Sequence, residues 1–64
     1  MFKSYKVKYE IQETKDSIPF FRTYCFSCPN GKRQAMKTAN DILCDYIIDM
    51  HYYVGSIKKI TEIK

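Results

Sequence analysis

The sequence predicts an α+β domain in the order β-β-α-β: a three-stranded antiparallel or mixed sheet, strand order 2-1-3, with one long helix packed on one face. Three observations carry this. Tyr5, Val7, Tyr9 and Ile11 alternate with Lys6, Lys8, Glu10 and Gln12, a period of two with a single apolar side. A second stretch rich in aromatic and β-branched residues follows a short polar connection. An apolar stripe at helical spacing then precedes a final β-prone segment.

The first strand is expected over Tyr5–Gln12. Glu13-Thr14-Lys15-Asp16-Ser17 is a polar connection of hairpin length. The second strand runs from Ile18 to Cys28, with Phe20, Arg22, Tyr24 and Phe26 facing inward and Phe21, Thr23, Cys25 and Ser27 outward. Pro19 near its start suggests an edge position. Pro29-Asn30-Gly31 breaks the strand, and Asn30 is a candidate N-cap for a helix over Lys32–Met50. Met36, Ala39, Leu43, Tyr46 and Met50 fall on one helical stripe, widened by Ala35, Ile42 and Ile47. His51 to Gly55 is the exit. Ser56 to Lys64 forms the third strand, with Ile57, Thr61 and Ile63 on one side. Lys59 shares that side and Ile60 opposes it, which suggests a bulge or a frayed register. A hairpin followed by a helical crossover sets the third strand beside the first. One sheet face stays open, presenting Lys6, Lys8 and Phe21, and strands two and three are free edges suited to pairing with another chain, a second copy included.

Length and composition narrow the function. Residues 1–64 make a single domain with one small core and no interior room for a substrate-sized cleft, so an enzyme is not expected. No run of apolar residues is long enough to span a membrane, and the first residues lack the apolar segment of a signal peptide. Cys25, Cys28 and Cys44 are odd in number, which fits a reducing cytoplasm better than a disulfide scaffold. The chain has a net charge of +4 with 16% aromatic residues. Residues 1–40 hold eight cations against three acids, and residues 41–64 three against four, so the basic character is concentrated early. Surplus Tyr and Phe suit an interface.

Few residues suggest chemistry. Cys25 and Cys28 have the spacing of half a zinc knuckle, with Cys44 and His51 to complete it. Cys44 and His51 would lie roughly 10 Å apart along a helix, and Cys25 and Cys28 on opposite sides of a strand. The expectation is unlinked thiols, no metal and no cofactor. His51 has no nucleophile placed to form a dyad, and a helix C-terminus is a favourable place for it. Asp41, Asp45 and Asp49 recur every fourth residue as a solvated acidic stripe. Lys32, Arg33 and Lys37 occupy the first helical turns against the macrodipole, where they and the free N–H groups could take phosphate.

Gly31-Lys32-Arg33-Gln34-Ala35-Met36-Lys37-Thr38-Ala39 resembles the start of the last helix of double-stranded-RNA-binding domains, a resemblance that implies contacts to phosphates. The chain as a whole resembles the short β-β-α-β proteins of prophages and conjugative elements, the DpnD/PcfM-like group among them. It does so through Ser4-Tyr5-Lys6-Val7 and Ile57-Lys58-Lys59-Ile60-Thr61-Glu62-Ile63. That resemblance implies an accessory protein of a mobile element. The functional expectation is a small, non-enzymatic cytoplasmic protein that inhibits or modulates a larger host protein or ribonucleoprotein complex, such as a CRISPR-type defence machine. The alternative is direct binding of RNA or DNA. The residues expected to bind are Lys6, Lys8, Phe21, Arg22, Lys32, Arg33 and Lys37.

Overall fold

The computed structural model describes residues 2–29 and 31–63. Strands β1 (Phe2–Gln12) and β2 (Phe20–Pro29), helix α1 (Lys32–Met50) and strand β3 (Val54–Ile63) follow in that order. The strands form one antiparallel sheet, β2-β1-β3, as the sequence predicts. Strand β1 is central, so its alternation is the cleanest in the chain: Tyr5, Val7, Tyr9 and Ile11 are all buried.

Helix α1 covers that side. Ala35, Ala39 and Leu43 are its buried residues, and Ile42, Tyr46 and Ile47 pack around the cluster of Val7, Tyr9, Ile11, Ala39 and Leu43. The expected stripe is therefore corrected. Met36 and Met50, which fall on the stripe by spacing, are 45% and 49% exposed. The alanines are central because a small side chain lets the helix axis approach the sheet. The same closeness appears at Gly55, where an added Cβ would lie 3.0 Å from both Leu43 Cδ1 and Ile47 Cδ1. A second cluster, of Tyr5, Cys28 and Ala35, closes the other end with Phe26 and Ile60, and the Tyr5 and Phe26 rings stack at 5.8 Å.

Element ends follow local chemistry. Strand β2 begins at Phe20, two residues later than expected. Ile18 is exposed, and the β1–β2 connection is held by its own bonds. Gln12 Nε2 donates to the carbonyls of Lys15 and Ser17 at 2.9 and 3.1 Å, and Ser17 Oγ accepts from the Thr14 N–H at 2.9 Å. Pro19 lies just outside the strand, whereas Pro29, expected to break it, is its last residue and pairs with Phe2. Helix α1 starts on Gly31 at φ 135°, with no side-chain cap; Asn30, the expected cap, lies outside the described residues. At the other end His51 takes a left-handed conformation, and Tyr52 N–H donates to Ile47 O at 3.0 Å, closing a Schellman-type end.

Strand β3 contains the suggested bulge. Lys8 pairs with Lys59 but Tyr9 pairs with Ile57, so Lys58 is the extra residue. The bulge corrects the expected facing. Ile57 and Ile60 both pack against the core, while Thr61 and Ile63 turn to the open face.

One buried polar group carries a measurable consequence. Tyr9 donates its hydroxyl to Ala39 O at 2.7 Å. Burial, with Tyr24 adding to it, pushes its pKa up to about 12. An unfolded chain loses the same proton near 10, so the folded state holds it more tightly. That contribution is complete below pH 10 and is lost as pH rises toward about 12. Tyr9→Phe should cost ~0.5–1.5 kcal/mol at neutral pH and flatten this part of the alkaline decline. Urea melts at pH 8, 10 and 11 would reveal it. An unchanged alkaline slope in the variant would mean that the hydroxyl is in water.

Candidate functional site

The open sheet face gathers more charge than the linear sequence suggests. With Tyr5, Val7 and Tyr9 under the helix, Lys6, Lys8 and Glu10 point away from it. Their partners on β2 are Cys25, Thr23 and Phe21. On β3, Lys6 faces Thr61 and Lys8 faces Lys59. The bulge turns Lys58 to the same side, where its Nζ lies 3.5 Å from Glu10 Oε1. Lys6, Lys8, Lys58 and Lys59 thus share one face with a single strand carboxylate, Glu10.

Two features of this face are costly in isolation. Lys8 and Lys59 are directly opposed, and like charges across a ladder destabilise it. Phe21 is 55% exposed, although Lys8 Nζ sits 4.5 Å over its ring, a cation–π contact that partly relieves both. Ser4 and Ser27 complete the face with a 3.1 Å hydroxyl contact.

The seven residues named from sequence do not form one surface. Lys6, Lys8 and Phe21 lie together on the open face. Arg22 is on the helix side of β2, its guanidinium 5.6 Å from the Phe20 ring. Lys32, Arg33 and Lys37 are at the helix start, also across the sheet from the open face. There Lys32 borders a recess with Lys3, Tyr5, Ile60 and Glu62, where Lys3 pairs with Glu62 at 3.5 Å. Lys58 and Lys59 were missed. The signal was the broken alternation around Lys59 and Ile60, which puts two successive lysines on one side only once the bulge is placed.

The remaining candidates are dispersed. Cys25 is exposed on the open face and Cys28 is buried on the other, with Cys44 exposed on the helix. Among the described residues, no three His, Cys, Asp or Glu side chains converge as metal ligands would, and no helix is long and apolar enough to cross a membrane. On the helix side, a groove of about 320 Å³ between β2 and α1 is lined by Tyr9, Arg22, Thr23, Tyr24, Ile42 and Tyr46.

The chain matches no protein-family model, no curated protein and no solved structure.

Proposed function

We propose that the protein is a non-enzymatic cytoplasmic binding module that takes single-stranded RNA or DNA on the open face of its sheet. The observation supporting this is the convergence of Lys6, Lys8, Lys58 and Lys59, from two adjacent strands, beside the exposed ring of Phe21. Adjacent strands are about 4.8 Å apart and same-face residues about 7 Å apart along a strand, so with their flexible stems these lysines reach neighbouring phosphates of one strand. A base stacking on Phe21 displaces Lys8 from the ring and frees its charge for a phosphate. An acidic protein patch could use the lysines and the ring as well; single-stranded binding differs in requiring a base to stack on the ring face.

The sequence puts first a modulator that docks on a larger host protein or ribonucleoprotein complex and second direct binding of RNA or DNA; the lysines gathered beside Phe21 favour the second. A helix-start site like that of a double-stranded-RNA-binding domain fits less well. Lys32, Arg33 and Lys37 lie on the other side of the sheet from the four lysines.

The test is fluorescence anisotropy with labelled twelve-residue oligo-U, oligo-dT and a duplex of equal length, each over a range of salt. Single strands should bind more tightly than duplex. With three or four phosphates contacted, log K should fall against log salt with a slope of about −2 to −3. Phe21→Ala should weaken binding by ~1–3 kcal/mol without changing that slope. Tight binding of the duplex alone, or an unaffected Phe21→Ala variant, would refute the reading.

A further inference from the structure

We infer that the free edge of β2, with the groove beside it, takes an extended segment of another protein as a fourth strand, one that presents basic and apolar residues toward the helix. The two edges of the sheet differ in a way that singles out β2. Edge strands are normally protected by lysines, bulges or inward charges, and β3 has them: the bulge at Lys58, then Lys58, Lys59 and Glu62 within its ten residues. Strand β2 is equally long, FFRTYCFSCP, with one charged side chain and no bulge in its pairing with β1. From Phe20 to Cys28 its outer N–H and C=O groups form a continuous, β-prone rim, with Arg22 as the one charge and Pro29 closing the end.

What flanks that rim sets the chemistry of the occupant. The groove of about 320 Å³ between β2 and α1 is predominantly apolar and aromatic, and Tyr24 on its β2 wall is 51% exposed. On the helix wall, Asp45 lies three residues after Ile42 and Asp49 three after Tyr46, so both aspartates share the groove's flank. Asp41 continues the row one turn earlier. Among the described residues no cation lies within ion-pair distance of any of the three, and Arg22 is turned toward the Phe20 ring.

A strand added to β2 directs every second residue toward the helix. Side chains beside Tyr24 and Tyr46 meet apolar walls and, further out on the flank, Asp45 and Asp49, so leucine-like residues with lysine or arginine toward the aspartates are complementary, while the position beside Arg22 takes a neutral residue. The intervening residues share a side with Lys6 and Lys8, where neutral side chains fit better than basic ones. A second copy of this chain fits poorly. Two-fold pairing of β2 with itself would bring both aspartate rows over one shared groove, like charge facing like. The segment therefore belongs to a different protein, and this site is separate from the lysine face.

The experiment is an NMR titration of the isotope-labelled protein with capped nine-residue peptides. The first alternates threonine with lysine and leucine in turn. The second replaces its lysines by glutamate, and the third is the first with N-methyl groups on the amides of one edge. The first peptide should shift and protect the amides of Phe20–Cys28. The glutamate peptide should bind at least tenfold more weakly, and one choice of methylated edge should abolish binding. The Asp45→Lys, Asp49→Lys double variant should invert the preference between the first two peptides. Absence of β2 shifts at millimolar peptide, equal binding of the glutamate peptide, or a dimer by light scattering with β2 amides already protected would each overturn the inference.

Discussion

Leu43→Ala should lower the urea midpoint of unfolding more than any other single truncation in the helix. Leu43 is 5% exposed and sits where the helix presses on Val7, Tyr9 and Ile11, with Gly55 backbone close beneath its Cδ1. Removing three carbons there should cost ~2–5 kcal/mol, the range expected for leucine truncations that leave a cavity. A 64-residue domain has on the order of 3–10 kcal/mol in total at 0.05–0.15 kcal/mol per residue. Met36→Ala and Met50→Ala, on exposed positions, should change stability by less than about 1 kcal/mol. Circular dichroism with urea melts separates these outcomes. A cooperative Leu43→Ala variant alongside an unfolded Met36→Ala variant would mean that the helix presents a different stripe to the sheet.

The second large effect is expected at the lysine face. Lys8→Glu with Lys59→Glu should lower affinity for single-stranded oligonucleotides at least a hundredfold at low salt. The salt slope should shrink by about 1.4, the share of two phosphate contacts. Lys59→Glu alone is the more telling variant. It replaces a like-charge pair across the ladder with an opposite one, worth ~0.2–1 kcal/mol in favour of the fold. Stability should rise while affinity falls, a divergence that a merely structural role cannot produce. Arg33→Glu with Lys37→Glu is the matched control. The change at Arg33, in the first turn, should firm the helix by ~0.3–1 kcal/mol because acids suit that end; the change at Lys37 lies beyond that turn and gives up a favourable spacing to Asp41, and affinity should stay nearly unchanged. If this pair of changes weakens binding more than the pair on the sheet, the contact surface is the helix start.

The architecture was legible because local and global signals agree for β1 and α1. A central strand covered by one helix has no choice but to alternate, and the helix bounds at Lys32 and Met50 coincide with the Gly31 start and the His51 turn. Strand β2 was harder, since an edge under a narrow helix buries only part of one side, and Tyr24 stays half in solvent despite pairing with fully buried Val7. The site was only partly legible. Lys6 and Lys8 follow from the alternation of β1. Lys58 and Lys59 depend on one extra residue in β3, and tallying charge along the chain placed them with the acidic half, away from the basic strand they join. Arg22 and the helix-start cations were grouped with them by charge alone, which takes no account of the sheet lying between.

The central place of β1 also governs when the fold can close during synthesis. Its first neighbour follows within a few residues, but Ser4 meets Ile63 only across 59 positions. At roughly 5–20 residues per second, the 34 residues from Pro29 to Ile63 take about 2–7 s to be made. Throughout that interval the hairpin keeps one edge of β1 unpaired, because α1 covers its face and not that edge. The sheet therefore closes last along its β3 side, so slowing translation after Met50 should delay that closure without changing the final structure.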